Sequence, residues 1–190
     1  ISYRLQADEV EYIVNDCGAK ILITSAQLED TFNGFKDKLV NKPACFMLDG
    51  TAQGASSFED AIKTYPTEPI ADQSYGQSLL YSSGTTGMPK GIKKPMVDVP
   101  WAEPDPVFEA RRIRYEFDED SIYLSPAPLY HAAPLGFTMN VLRYGGTCIV
   151  MEHYESERAL ELIEQFKVTH SQWVPTMFVR MLKLPEGDRS

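Results

Sequence analysis

Paired cysteines, a surplus of basic charge and a long apolar run are all missing from this sequence, and each absence closes off a class of protein. Three cysteines, Cys17, Cys45 and Cys148, lie far apart and are odd in number. They make no disulfide framework, and no Cys/His pair has the spacing of a zinc site. Each reads as a reactive thiol or as a small buried hydrophobe; burial is the expectation for all three, and a reducing cytoplasm is the simplest compartment. Lysine and arginine total 18 against 27 aspartates and glutamates, a formal net charge of −9. Such a chain repels nucleic acid and anionic membrane surfaces, so any anion it binds must be held by a local device. No apolar run of about 18 residues exists, so no membrane-spanning helix is expected. The opening "ISYRLQADEV" has neither an initiator Met nor the basic and apolar regions of a signal peptide, and it reads as the interior of something longer. With 190 residues, 43% of them hydrophobic, the chain suits one ordinary domain or a large piece of one.

What is present is an alternation of short β-rich runs with helical patterns. Val10, Ile13, Val14 and Cys17 share one face of a helix over 8–17, with Asp8 and Glu9 in its first turn and Gly18 just past its end. "ILIT" (21–24) predicts a buried strand, and Leu28, Phe32, Phe35 and Leu39 predict a helix over about 26–39. "ACFML" (44–48) predicts a strand, Phe58, Ala61 and Ile62 a short helix, and "SLLY" (78–81) a strand after the polar connection 64–77. Asp105-Pro106 can cap and open a helix over 106–115. Then come a strand "SIYL" (121–124), a helix over 132–143, a strand "TCIVM" (147–151) and an amphipathic helix over 156–167 presenting Ala159, Leu160, Ile163 and Phe166. "SQWV" (171–174) predicts the last strand, and Pro175 can start a closing helix. This order implies an α/β fold, a mostly parallel sheet with helices on both faces. The charged run "RRIRYEFDED" (111–120) reads as a solvated face.

The stretch "YSSGTTGMPKGIKKP" (81–95) follows the "SLLY" strand, at the carboxyl end where ligands gather in such sheets. It is not a Walker loop: from Gly84 the chain runs G-T-T-G-M-P-K-G, so the spacing fails. A helix opening at Lys90 would carry Pro95 in its interior, where proline removes a donor and clashes with the preceding turn. It is not the dinucleotide G-x-G-x-x-G either. Gly84, Gly87 and Gly91 let backbone amides approach an anion. Ser82, Ser83, Thr85 and Thr86 add hydroxyls, and Lys90 adds a mobile positive charge stiffened by Pro89. These parts suit a di- or triphosphate held by a loop. A solvated Ser/Gly linker is the bland alternative, which the fixed T-T-G-x-P-K-G order disfavours.

The residues "YSSGTTGMPKG" (81–91) resemble the phosphate-loop signature of the adenylate-forming (AMP-binding) superfamily, which comprises acyl-CoA synthetases, luciferases and peptide-synthetase adenylation domains. "PLYH" (128–131) resembles a core motif of the acyl-CoA ligase branch. "YGGTCIVM" (144–151), "VTHSQWVPTMF" (168–178) and the opening "ISYRLQADEVEYIVNDCGAKILIT" are similar to the family as well, so the likeness covers nearly the whole chain.

The resemblance implies a two-step reaction. A carboxylic acid, with a fatty acid expected, attacks ATP to give acyl-AMP and pyrophosphate, and coenzyme A then takes the acyl group. It implies that Ser82, Ser83, Gly84, Thr85, Thr86, Gly87, Lys90 and Gly91 enclose the β- and γ-phosphates, with Lys90 drawing the departing charge. Ser83 would stand near Mg²⁺, although one hydroxyl holds that ion poorly. His131 would lie near the junction of carboxylate and α-phosphate; without the resemblance it reads as a packed residue or a cap. Tyr130, Leu135 and Phe137 are candidates for the pocket wall, with core packing an equal alternative, and Trp173, Val174 and Pro175 are candidates for the acyl tunnel.

The sequence also departs from the family. The later Tyr-Gly-x-Thr-Glu motif is missing: "YGGTC" (144–148) has Cys148 where glutamate is needed and reads as a helix-to-strand turn. The ribose aspartate, the hinge and the C-terminal lysine are not found. The proline-rich stretch 95–106 replaces the helix start common in relatives, and mobility is expected there. The chain therefore reads as an internal fragment (1–190) of the N-terminal AMP-binding domain, without that domain's start or the C-terminal lid, and as inactive alone. A carrier protein in place of coenzyme A, a non-catalytic nucleotide-binding module and a homo-oligomer stay open.

Overall fold

The computed structural model describes residues 1–74, 76–82, 88–96, 103, 105–185 and 187. The chain divides into two compact units, Ile1–Trp101 and Ala102–Ser190.

The first unit is built on a parallel sheet. Helix α1 (Ala7–Asp16) begins where the Glu9 carboxylate accepts the Gln6 N–H at 2.8 Å, satisfying a donor that a helix start leaves open. It ends at Gly18, whose φ of +62° turns the chain into the sheet. Strand β1 (Ile21–Ser25) pairs in parallel with β2 (Ala44–Leu48), Leu22 opposite Cys45 and Thr24 opposite Met47. A two-residue β3 (Ser56–Ser57) extends β2. Between β1 and β2 lies α2 (Glu29–Phe35), flanked by 3₁₀ turns at 26–28 and 36–38. Val10, Val14, Phe32 and Phe35 pack on Leu22 and Met47 to form the core; full burial of such a side chain is worth about 1.5–3 kcal/mol. Ser57 Oγ then caps α3 (Phe58–Ile62) by accepting the Asp60 N–H at 3.1 Å.

Two expectations change here. β1 is not buried on both sides: Ile21 and Ile23 are 61% and 50% exposed. Successive strand residues point to opposite faces, and the helical core cluster takes only the Leu22 and Met47 face. The single helix over 26–39 is broken into three pieces, although Phe32, Phe35 and Leu39 are buried as the pattern required.

In the second unit, Asp105 Oδ1 accepts the N–H groups of Val107 (2.8 Å) and Phe108 (3.3 Å) and opens α4 (Pro106–Tyr115), with Pro106 in its first turn. Strand β6 (Ile122–Ser125) is central, with β7 (Thr147–Val150) on one side and β8 (His170–Ser171) on the other, all parallel. Helices cover both faces. Tyr123 packs with Val141 and Phe137 of α5 (Ala132–Arg143), while its neighbour Leu124 packs with Ala159 and Leu162 of α6 (Ser156–Phe166). The chain closes on α7 (Pro175–Met181), which Pro175 opens as expected.

The "SQWV" strand is displaced: β8 ends at Ser171, whose hydroxyl donates to the Leu124 carbonyl at 2.7 Å, and Trp173 turns into the Leu124 cluster. Phe166, at the last position of α6, is 42% exposed, and Leu162 takes the buried place instead. The run 111–120 is not wholly a solvated face. Glu116, at φ 57°, reverses the chain, and Phe117 enters the core at 2% exposure. The cysteines also differ from expectation. Cys17 is exposed at the end of α1, while Cys45 and Cys148 are half-buried, with burial pushing both thiols up. The expected mobility of 95–106 falls largely outside the described residues.

Candidate functional site

The sequence-marked loop belongs to the first unit. Strand β4 (Leu80–Tyr81) pairs with β5 (Gly91–Ile92), Leu80 opposite Ile92 and Tyr81 opposite Gly91. The pair is antiparallel, which corrects the expectation that the loop follows a strand of the parallel sheet. Ser82 and Lys90 instead stand at the ends of two hairpin arms, and a strand follows Lys90 where a Walker loop would need a helix. Two hydrogen bonds close the neck: Ser82 N–H donates to the Lys90 carbonyl at 3.0 Å, and Lys90 N–H donates to Ser82 Oγ at 3.2 Å. The Lys90 side chain emerges exposed just beyond this neck. Ser83, Gly84, Thr85, Thr86 and Gly87 lie outside the described residues. Ser82, Lys90 and Gly91 are brought together.

The base of the hairpin is tied to α1. The Tyr81 phenol donates to Asp16 Oδ2 at 2.6 Å, across 65 residues of sequence. Burial, then the hydrogen bond and charge of Asp16, hold that phenol well above its usual range, so it remains a donor. The Tyr81 ring packs close to Gly91, where a Cβ would stand 3.1 Å from a ring carbon. Beside it is a cavity of about 370 Å³ whose walls include Asp16, Cys17, Lys93 and Lys94. Asp16, Lys93 and Lys94 were not singled out from the sequence. The Lys93-Lys94 doublet was the available signal; nothing local marks Asp16.

The remaining candidates belong to the second unit. His131 is the residue before α5. It is exposed and occupies the N-cap position, where its carbonyl accepts the Leu135 N–H at 3.2 Å, but its side chain makes no cap hydrogen bond. Its ring stands 4.5 Å from that of Tyr130. Leu135 is half-buried in α5. Phe137 is a packing residue, with ring centroids 5.2 Å from Tyr115 and 6.2 Å from both Phe117 and Tyr123. Trp173 packs against Tyr154 and Phe178, while Val174 and Pro175 are exposed at the start of α7. The "YGGTC" segment is a helix-to-strand turn: Tyr144 ends α5, Gly145 has φ +82°, and a Cβ on Gly146 would strike the Ser121 carbonyl at 2.8 Å. Among the described residues no three His, Cys, Asp or Glu side chains gather as a metal site. They offer Mg²⁺ no cage, and no helix among them is long and apolar enough to cross a membrane.

The chain matches the AMP-binding enzyme family over residues 1–190. Among curated relatives, 4-hydroxybutyrate–CoA ligase 2 of Metallosphaera sedula is 26% identical over 95% of this chain and 34% of its own length. A 4-coumarate–CoA ligase-like protein of Oryza sativa is 30% identical over 86% of this chain and 26% of its own. Among solved structures, the anthranilate CoA ligase AuaEII in complex with anthranoyl-AMP superposes with a TM-score of 0.78 at 26% identity, covering 98% of this chain and 36% of that one. The ATP-bound MatB of Rhodopseudomonas palustris superposes at 0.74 with 22% identity, over 100% of this chain and 37% of that one, a likeness of fold. The chain spans about a third of the length of the curated relatives it matches. With its parallel α/β units, the closed neck at Ser82 and Lys90 and a match over its full extent, the chain belongs to the AMP-binding enzyme family.

Proposed function

We propose that the chain is an internal segment of the N-terminal domain of an ATP-dependent acid–thiol ligase, the segment that carries the phosphate loop. In the complete protein a carboxylate oxygen attacks the α-phosphorus of ATP. The bond from that phosphorus to the β-bridging oxygen breaks, and pyrophosphate leaves. The sulfur of coenzyme A then attacks the acyl carbon of the acyl-adenylate, and AMP leaves. The observation that carries this reading is the reciprocal Ser82–Lys90 closure. It fixes the two ends of a Ser/Thr/Gly loop and holds Lys90 at its mouth, where one cation can stabilise the charge that grows on pyrophosphate.

In this reading Ser82 through Gly87, Lys90 and Gly91 hold the β- and γ-phosphates, with Ser83 contributing a hydroxyl near Mg²⁺ and the ion's other ligands coming from outside the described residues. His131 acts at the acyl–phosphate junction. Its exposure and its ring's absence from any cap hydrogen bond support that role. Tyr130 and Leu135 line the acid's pocket, and Val174 and Pro175 its tunnel. Phe137 and Trp173 would act from behind, as packing that shapes the wall. The acid is proposed to be a fatty acid. Coenzyme A as acceptor is supported by the names of the relatives, which are CoA ligases. The enzyme is expected in the cytoplasm.

The test is a carboxylate panel on the full-length protein, read as pyrophosphate release with and without coenzyme A. Short- and long-chain fatty acids, 4-hydroxybutyrate and 4-coumarate should separate the substrate classes. Release with a fatty acid, and acyl-CoA formed only when coenzyme A is added, is the expected result. Pyrophosphate release with no carboxylate tested would overturn the reading.

A further inference from the structure

The β4–β5 ribbon presents a physical problem. It has two residue pairs, Leu80–Ile92 and Tyr81–Gly91. A two-stranded hairpin is marginal in water even when longer. Apolar burial anchors it only in part: Leu80 and Tyr81 are half-buried, while Ile92 is 57% exposed. Yet the proposed phosphate chemistry needs the ends of its loop held still, because catalysis by positioning fails with displacements of about 1 Å.

We propose that Tyr81 and Asp16 form a latch that fixes the phosphate loop to the end of α1, and that Gly91 is a glycine to let the latch close. This inference rests on the nucleotide-loop reading given above and deepens it. The 2.6 Å phenol–carboxylate bond is of the short, charge-assisted kind, about twice as strong as a neutral pair. It joins the ribbon to the carboxyl end of α1, a helix seated in the hydrophobic core through Val10 and Val14. The path from ribbon to helix runs through the Tyr81 ring, and that ring packs close to Gly91. A Cβ there would meet Cζ, Oη and Cε1 of Tyr81 at 3.1, 3.3 and 3.4 Å. Those atoms are the end of the side chain that carries the bond, so an alanine at 91 would shift the phenol by a few tenths of an ångström against its acceptor.

The last glycine of the loop therefore has a second duty besides admitting an anion: it is the seat of the Tyr81 ring. The latch acts on the residues beside it. Ser82 follows Tyr81 and Lys90 precedes Gly91, and these two make the reciprocal hydrogen bonds of the neck. Tyr81, Asp16 and Gly91 are positioning residues in this scheme. They act on phosphate through Ser82 and Lys90.

The experiment compares Tyr81→Phe, Asp16→Asn, their double variant and Gly91→Ala in the full-length protein. The first reading is amide hydrogen exchange at Ser82, whose N–H the neck protects. It should quicken by roughly tenfold or more in Tyr81→Phe and in Asp16→Asn, as expected for loss of a charge-assisted hydrogen bond, and by less in Gly91→Ala, while the double variant should add little to either single. The second reading is steady-state kinetics. The kcat/KM for ATP should fall by a similar factor, while KM for the carboxylate and for coenzyme A stay within about twofold. Using both Tyr81→Phe and Asp16→Asn keeps the test sound if one of them folds poorly. Unchanged exchange at Ser82 in both would overturn the latch. Faster exchange with unchanged ATP kinetics would overturn its positioning role. If exchange quickens but no variant, Lys90→Ala included, alters pyrophosphate release, the latch stands and the nucleotide-loop reading is what fails.

Discussion

The phenol of Tyr144, at the end of α5, donates a 2.9 Å hydrogen bond to Glu109 Oε2, and Arg112 grips the same carboxylate through Nε and Nη2. The guanidinium first, then the phenol, hold the Glu109 carboxyl below the usual range. A depressed acid stabilises the fold above its ordinary value, about 4.3, and that contribution is lost as pH falls through the lower folded value. Glu109→Gln should therefore unfold at a lower temperature near neutral pH, with the gap from the wild type closing as pH drops toward 3. The group is half-buried at the surface, where salt still screens it, so the gap should also narrow in high salt. Thermal unfolding of both proteins from pH 7 to pH 3 measures it, and a pH-independent gap would show that the carboxylate's charge is not involved.

Lys90 is exposed beyond the neck of the hairpin, so truncation should leave stability alone. In the full-length ligase, Lys90→Ala should slow pyrophosphate release by roughly 10²–10³, the usual worth of a single electrostatic stabiliser. A loss under about threefold would remove Lys90 from the chemistry.

His131 stands exposed at the N-cap of α5, with its ring in no cap hydrogen bond. His131→Ala should lower carboxylate-dependent turnover while ATP affinity, measured by calorimetry, holds. Normal turnover with a large fall in the unfolding midpoint would mark a structural histidine instead.

Lys167 ends α6 in the left-handed region, at φ 54° and ψ 47°. A side chain there costs roughly 1–2 kcal/mol, partly offset in any glycine by about 0.5–1 kcal/mol of extra backbone freedom. Lys167→Gly should raise the unfolding temperature by a few degrees, since about 1 kcal/mol is worth 2–4 °C in a domain of this size. Lys167→Ala, which keeps the Cβ, should bring no such gain. Equal midpoints for the two variants would mean that the conformation carries no strain.

Much of this architecture could be read from local chemistry. Asp105-Pro106 announced α4, Gly18 the end of α1, and Pro175 the start of α7 because capping and fixed φ act within a few residues. The core face of α1 followed from its periodicity. What escaped depends on distance along the chain. Alternation in "ILIT" shows that Ile21 and Leu22 face opposite ways, but not that helices cover only one side. Phe117 sat in a charged run, and only the reversal at Glu116 carries it inward. The loop residues were recognised as a set, but whether the strand before them joined a parallel sheet or a hairpin depended on its partner, Gly91–Ile92. The Tyr81–Asp16 bond spans 65 residues and leaves no trace in either neighbourhood.

The uncovered side of the β1–β2 sheet decides how the chain behaves in bulk solution when produced by itself. Ile21, Ile23 and Leu48 offer water an apolar surface, and the net charge of −9 is the force that keeps two such surfaces apart. Those two influences answer differently to electrolyte. Charge repulsion reaches only about 8 Å at physiological ionic strength and about 3 Å at 1 M, whereas apolar attraction is not screened. Added sodium chloride should therefore drive the chain toward association, visible as rising light scattering with salt. Ile21→Lys and Ile23→Glu, which place charges on that face without entering the core, should keep it clear.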